Sequence, residues 1–557
     1  MKNTTLIVAC SLIFKLATSQ TSSTYLVYFK DKNSSPYSIN KPAEFLSEKS
    51  LERRTNQHIE INQSDLPVNV SYVNGIKAIG VEVLNKSKWF NAITVSANDE
   101  SKINIIKALP YVKQLQLLAG PTNQRVPSKF QTGSQALSSP AEMQNEKSIN
   151  SNFYDYGPSY YQSHQIGVDC LHNLGYHGEG VTVAFLDAGY YKVDSLPAFD
   201  SLRVNNQIIG TYDFVANNTS VYEDFTHGMA TLSCVGGNLP SRLVGTAPKA
   251  NFWLLRTEDA GTETLQEEVN WLVGAEFADS VGASVINSSL GYSLFDGNIG
   301  NHTYADLDGN TTIVTKAADW AASKGIFVNS SAGNSAGPPW YKITAPADAD
   351  SILTVGAVDS GGVTASFSSR GPSYDGRVKP NTAARGWAST VASPFGDIEY
   401  QSGTSFASPI TAGAVACLWQ AHPTATNMQL LSAVQQSANQ YFFPDSLQGY
   451  GIPNFCIAHI ILTDILGIDK LSGENEQLII YPNPTNSDFN VSFYSEKKQT
   501  IKISLFDISG REIMSETKQV KEKGNEFKLQ DGDISNGIYI LHITTAEKTY
   551  FKKLVKQ

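Results

Sequence analysis

Cysteine is scarce in this chain, with five in 557 residues. That is too few for a fold framed by disulfides, so the core must come from apolar packing. Basic blocks are missing as well. The 42 basic and 52 acidic residues are spread along the chain and leave a formal net charge of −10. A chain without a basic patch is not built to hold nucleic acid. Beyond the N-terminus, no apolar run is long enough to cross a bilayer as a helix. The length exceeds one ordinary domain and predicts three or four.

One short apolar run is present at the start. Met1-Lys2-Asn3-Thr4-Thr5 is positive, Leu6 to Leu16 is apolar, and Ala17-Thr18-Ser19-Gln20 is small and polar. This is the order of a secretory signal cut near Ser19, so residues 1–19 are expected to be removed. Cys10 leaves with them; the apolar run continues past it, which argues against a lipoprotein site. Cys234 and Cys417 fall in helical stretches and read as packed thiols. Cys170 and Cys456 remain, and spacing alone leaves their pairing open.

Four segments carry candidate chemistry. Gln401-Ser402-Gly403-Thr404-Ser405-Phe406-Ala407-Ser408-Pro409 delivers Ser405 to the first turn of an apolar helix. Glycine permits a tight turn there, and the positive end of a helix dipole stabilises an oxyanion. The same residue mix would also serve a plain turn-to-helix junction. Val181 to Gly189 is an apolar run ending in Asp187. It reads as a strand buried on both faces of a parallel sheet, and carboxyl ends of such strands hold functional groups. An aspartate capping the next turn is the plain alternative. His227 opens a helix of small residues. Gly325 to Gly337 is a strand running into Asn334. An asparagine amide has two N–H donors, and one could face a developing oxyanion; a simple turn would look alike.

Together these segments resemble the subtilisin-like serine peptidases, the subtilases. Gly245 to Ala250, Val285 to Gly291, Ser366 to Pro372 and Gly449 to Asn454 add to the likeness, which covers about residues 155–460. The resemblance implies a secreted serine endopeptidase with a doubly wound, mostly parallel α/β sheet over residues 156–460. It implies Ser405 as nucleophile, His227 as general base and then acid, and Asp187 as its orienting group, with an acyl-enzyme intermediate. Asn334 and the Ser405 N–H would form the oxyanion hole. Ser288, Ser289, Leu290, Gly291, Ala332 and Gly333 would bind substrate, with 344–347 completing the primary pocket. These are small or apolar residues, which points to an apolar side chain before the cut. No cofactor is required for this chemistry. Three positions depart from the family pattern: Ala188 lacks the usual hydroxyl beside the aspartate, Asn381 and Arg385 replace an acid and a proline, and Met229 replaces a threonine.

The flanks are read the same way. Residues 20–120 alternate strand and helix: Tyr25–Phe29, Ala43–Arg54, Trp89–Val95, Ser101–Ala108 and Val112–Leu118. Before a subtilase domain this resembles the family's propeptide, a folding aid and inhibitor; an independent binding domain is the alternative. Residues 121–155 are rich in Ser, Gln, Asn and Pro, so they read as an exposed linker holding the activating cut. Asp306-Leu307-Asp308-Gly309-Asn310 could bind structural calcium or form an ordinary turn; any other metal site is unknown. After a linker at 461–475, residues 476–557 hold short strands separated by turn signals, a small β-sandwich. Leu478 to Pro484, Leu505 to Arg511, Gly537 to Leu541 and Lys552 to Lys556 resemble the C-terminal sorting domain of type IX secretion in Bacteroidetes. That implies passage through the periplasm, then release or surface attachment. The implied partners are the type IX machinery, protein or peptide substrates, and the chain's own propeptide. Two rivals are carried: a surface adhesin that keeps the fold without the chemistry, and a processing protease with one partner.

Overall fold

The computed structural model describes residues 22–127, 130, 152–223, 225–468, 478–481, 485, 488–507, 512–529, 535, 537–545 and 549–556. The secretory signal, Cys10, most of the 121–155 linker, residues 469–475 of the second expected linker, and Pro482 to Pro484 lie outside the described residues, whereas residues 461–468 of that linker are helical and pack Leu462 into the core of the central unit.

The N-terminal unit runs β1 (Ser23–Phe29), α1 (Glu48–Asn56), α2 (Val70–Lys77), β2 (Glu82–Ser87), β3 (Ala92–Ala97), α3 (Glu100–Ala108) and β4 (Val112–Ala119). Its strands form one antiparallel sheet in the order β2-β3-β1-β4. Side chains alternate between faces along a strand. Val27 and Phe29 therefore join a core with Val73, Ile76 and Ile106 from the unit's own helices, while Leu26 joins Trp89 and Leu118 in a core shared with the next unit. The expected helix at 43–54 starts later, at Glu48, where Ser47 Oγ caps the Ser50 N–H. Trp89 lies in the turn before β3 and not in the strand expected over 89–95.

The central unit begins with two short helices, α4 (Tyr160–Gln165) and α5 (Val168–Asn173). Then follow β5 (Thr182–Asp187), α6 (Asp200–Val204), β6 (Ile208–Asp213), α7 (His227–Gly236) and the hairpin of β7 (Asn238–Leu239) and β8 (Leu243–Val244). Next come β9 (Asn251–Arg256), α8 (Leu265–Val281), β10 (Val285–Ser288), α9 (Ile313–Ser323), β11 (Phe327–Ser331), β12 (Leu353–Val358) and β13 (Thr382–Arg385). A hairpin of β14 (Ser389–Ala392) and β15 (Ile398–Gln401) leads to α10 (Thr404–Ala421), α11 (Asn427–Gln436) and α12 (Phe455–Ile468). Seven strands lie parallel in the order β13-β12-β11-β10-β5-β9-β6.

The apolar run of β5 has a direct cause. Val183 and Phe185 pack with α7 and α10 on one face, while Ala184 and Leu186 pack with α8 and α9 on the other. A strand covered on both faces has no solvent side to keep polar. The chain winds outward from β5 in both directions, so the winding reverses between β5 and β10. Clefts form beyond the carboxyl ends of strands at such a reversal. Cys170 in α5 is bonded to Cys456 in α12, which settles the pairing and closes 286 residues of chain. Cys234 and Cys417 are buried free thiols, as their small-residue surroundings suggest.

The C-terminal unit contains β16 (Leu478–Tyr481), β17 (Phe489–Ser495), β18 (Gln499–Asp507), β19 (Glu512–Val520), β20 (Lys523–Leu529), β21 (Gly537–Thr544) and β22 (Thr549–Lys556). Two sheets, β16-β17-β20 and β19-β18-β21-β22, enclose a core that includes Val491, Phe493, Ile503 and Leu541.

Candidate active site

Four sequence-predicted residues meet at the reversal between β5 and β10. Asp187 ends β5, His227 opens α7, Ser405 is the second residue of α10, and Asn334 follows β11. Asp187 is fully buried. His227 Nδ1 lies 2.6 Å from Asp187 Oδ1. The carboxylate can only accept, so Nδ1 carries a hydrogen, and Nε2 is the nitrogen left for other partners. Asp187 Oδ1 also accepts the Ala188 N–H at 2.7 Å. The hydroxyl that Ala188 lacks is supplied from α7, where Thr231 Oγ1 donates to Asp187 Oδ2 at 3.0 Å. Thr231 is one helical turn beyond His227, on the same face; that i, i+4 spacing is the signal a sequence reading could have used.

Ser405 owes its setting to a proline. Pro409 has no N–H, so the Ser405 carbonyl has no helical partner four residues on. Ser289 Oγ donates to that carbonyl at 2.8 Å. In return, Ser405 Oγ donates to the Ser289 carbonyl at 3.3 Å, its hydrogen bond among the described residues. The first turn of α10 is thereby tied to the segment leaving β10. Gly403 is extended, at φ 161°, so the tight-turn argument does not apply to it. The close approach is at Gly386, whose added Cβ would meet Ala357 Cβ at 2.5 Å and Gly403 O at 2.8 Å.

Asn334 is locked in one orientation. Its Oδ1 accepts the Thr404 N–H at 2.8 Å and the Thr404 hydroxyl at 2.9 Å. A backbone N–H must face an oxygen, so the amide NH₂ is left turned to the cleft. Gly333 beside it sits at φ +102°, and an added Cβ would lie 2.7 Å from Thr344 Oγ1.

The cleft holds about 350 Å³ and is lined by Ser289, Leu290, Gly291, Gly333, Asn334 and Ser405, among others. Ser288 and Ala332 are not in its lining. Ser288 Oγ accepts from Trp271 Nε1 at 2.9 Å inside the core, and Ala332 is fully buried. The period of two along β10 sends the Ser288 side chain to the inner face. Thr344 reaches the lining, whereas Ala345 and Ala347 belong to the core. No motif pointed to Phe130, whose ring lies 4.8 Å from the His227 ring and 5.1 Å from Phe225. Val126 and Pro127 also enter the cleft. This stretch of the expected exposed linker lies against the central unit, with Val126 and Phe130 half-buried and Arg125 and Pro127 still exposed.

Among the described residues there is no group of three His, Cys, Asp or Glu that could hold a metal ion. The stretch considered for calcium uses its oxygens locally. Asp306 Oδ2 accepts the N–H and hydroxyl of Thr303, and Asp308 accepts Asn310 N and Thr311 Oγ1.

Residues 178–451 match the model of the subtilase family. Subtilisin E of Bacillus subtilis (strain 168) is 31% identical over 294 residues, covering 51% of this chain and 68% of that protein. The chain belongs to the subtilase family. Subtilisin of Bacillus pumilus is 31% identical over 297 residues, covering 52% of this chain and 94% of that protein. A thermophilic serine proteinase of Bacillus sp. (strain AK1) is 28% identical over 412 residues, covering 70% of this chain and 90% of that protein. This subtilase is accordingly a serine peptidase. Residues 24–135 match the peptidase S8 propeptide domain of Bacteroidota, and residues 479–557 match the secretion system C-terminal sorting domain. Together these mark a secreted or cell-surface protein of a Bacteroidetes bacterium. Among the described residues no helix is long and apolar enough to cross a membrane.

Proposed function

We propose that this subtilase is an endopeptidase made as an inhibited precursor, with Asp187, His227 and Ser405 as its triad. The observation that carries the reading is the 2.6 Å Asp187–His227 pair, whose imidazole lies 6.2 Å from the Phe406 ring beside Ser405, next to the cleft lined by Ser405 and an orientation-locked Asn334. Ser405 Oγ would attack the scissile carbonyl as His227 Nε2 takes its proton. The oxyanion would be held by Asn334 Nδ2 and the Ser405 N–H. The tetrahedral intermediate would collapse as His227 gives that proton to the leaving amine. Water, deprotonated by the same nitrogen, would then release the acyl group. Asp187 would keep the imidazole in the tautomer this sequence needs.

Substrate would add as a strand along Ser289, Leu290 and Gly291. Gly291 keeps the pocket open, since an added Cβ would lie 2.1 Å from Thr344 Oγ1. Ser288 and Ala332 would act from behind, by fixing the strands. Such a lining favours an apolar side chain before the cut.

The precursor would consist of a signal at 1–19, a propeptide at 20–120, a linker at 121–155, a peptidase domain that starts at 156 and continues past the expected boundary at 460 to the end of α12 at 468, a short second linker, and a sorting domain at 476–557. Val126, Pro127 and Phe130 of the first linker line one side of the cleft, with Phe130 4.8 Å from the His227 ring, which supports the precursor as an inhibited form until a cut in that linker.

The test is labelling of the secreted protein by a fluorophosphonate probe, read by intact mass, with Ser405→Ala beside it. Labelling of the wild type alone is expected, on a form whose N-terminus lies after Thr122. A form lacking its propeptide that does not label would leave an adhesin with a subtilase fold.

A further inference from the structure

Asp296 lies beside the cleft, two residues past Leu294 of its lining, where the segment leaving β10 approaches the start of α8. Its own N–H donates to the Glu263 carbonyl at 2.8 Å, and its Oδ2 accepts the Glu263 N–H at 3.2 Å. The carboxylate is thus part of the wall, with a side-chain exposure of only 2%. Both remaining directions are taken by the start of the linker that follows the propeptide. Arg125 Nη1 reaches Oδ2 at 2.5 Å, and the Val126 N–H reaches Oδ1 at 2.9 Å. One residue earlier, the Gln124 carbonyl accepts the Gly297 N–H at 2.9 Å. Among the described residues, Arg125 is the one cation paired with Asp296.

The surroundings reinforce that charge. Glu263 lines the same cleft. Tyr292 donates to Glu258, and its phenol is pushed well up by burial and then by Glu258, Glu267 and Glu263. A nearly buried carboxylate in an acidic wall loses its counter-charge when the propeptide leaves. An unpaired buried charge is unfavourable, and a guanidinium is the side chain best shaped to restore the pair.

We propose that Asp296 is a specificity-determining residue that selects substrates carrying arginine at the position now held by Arg125, upstream of the cut. The proposal rests on the endopeptidase reading, because it takes the bound tail as a guide to the path of a substrate. Two contributions separate cleanly. The N–H at Oδ1 can come from any residue but proline, so it binds without selecting. Only the side chain at Oδ2 reads sequence. Arg125 remains 55% exposed, so solvent weakens the pair and the preference is moderate.

The experiment uses the mature enzyme obtained from the full chain and internally quenched peptides copying residues 121–134. One peptide keeps arginine at position 125, and the others carry Arg125→Lys or Arg125→Ala. The arginine peptide is expected to be cut with kcat/KM about tenfold above the alanine peptide, mostly through KM, with lysine between. Added salt should narrow the gap. With the Asp296→Asn enzyme the arginine-to-alanine ratio should fall to about one. If that variant does not mature, the wild-type ratio decides alone. Equal rates for the three peptides overturn the subsite, as does an unchanged ratio in Asp296→Asn, or cutting of casein but of none of the peptides. Those results leave the endopeptidase reading standing. Intact casein together with intact peptides removes that reading and the subsite with it.

Discussion

Thr231 Oγ1 donates to Asp187 Oδ2 at 3.0 Å, from a position one turn past His227 on the same helix. It stands in for the hydroxyl missing at Ala188. Replacing it by the isosteric valine removes one hydrogen bond to a buried carboxylate, worth about 1.5–3 kcal/mol. Thr231→Val should therefore lower kcat about tenfold with KM little changed, and Ala188→Ser in the same chain should restore part of it. A KM effect without a kcat effect would show that Thr231 does not act through the aspartate.

Asn334→Ala should lower kcat by about 10²–10³, a loss whose size is known from the equivalent change in subtilisin itself. Thr404→Val should lower it less, since one of the two donors holding the amide remains. Equal losses in the two variants would argue that the amide orientation, and not its N–H, is what matters.

Lys379 is fully buried, with Nζ bonded to Thr354 Oγ1 at 3.0 Å and Asn381 Oδ1 at 3.2 Å. Burial and then Arg377 pull its ammonium down to about 7 from an ordinary 10.5. The unfolded chain then holds more protons than the native one between those values. Stability should rise with pH across that window, by at most about 1.4 kcal/mol per unit. Asn381 stands where the family usually has an acid, so Asn381→Asp should return a counter-charge and flatten the slope. Thermal unfolding between pH 7 and 10 measures it; a flat wild-type profile would count against the account.

Asp279 in α8 holds the propeptide through Arg53 at 2.6 Å, Arg54 at 2.9 Å and Lys88 at 2.9 Å. Burial raises its carboxyl, but Lys88, Arg53 and Arg54 together bring it down to about 2. Its folded value lies below the ordinary 3.8, so its contribution is complete above that pH and is lost as pH falls toward 2. Trp89 stacks on Trp320 across this contact, with ring centroids 6.4 Å apart. In a Ser405→Ala precursor, acid titration should report release as a change in tryptophan emission. Asp279→Asn leaves two buried guanidinium groups with less charge opposite them. It should move release to higher pH and weaken the contact by about 3–5 kcal/mol.

Much of this was legible from the residues alone. The run at 182–187 declares a strand covered on both faces, and the turn at 403–409 declares a helix start. What escaped reading has common physical causes. Glu512–Val520 is an edge strand, exposed along much of its length, so its polar sequence carries little strand signal. Val70–Lys77 and Glu82–Ser87 are short, with few buried residues each. Thr231 and Asp296 depend on partners 44 and 171 residues away, and no local pattern reports such distances. Ser288 sits in the right segment but on the inward-facing register, which only the observed pairing fixes, and Ala332 lies in the core one residue beyond β11.

The bond between Cys170 and Cys456 has a consequence for a peptidase that lives among its own copies. It joins the first and last helical layers of the central unit and encloses nearly every catalytic element within one covalent ring. A single internal nick inside that ring opens the chain without releasing either piece. The fragments stay at high effective concentration, and the interrupted fold can hold together as a non-covalent complement of itself. Damage that would dissociate an open chain becomes, here, a scar.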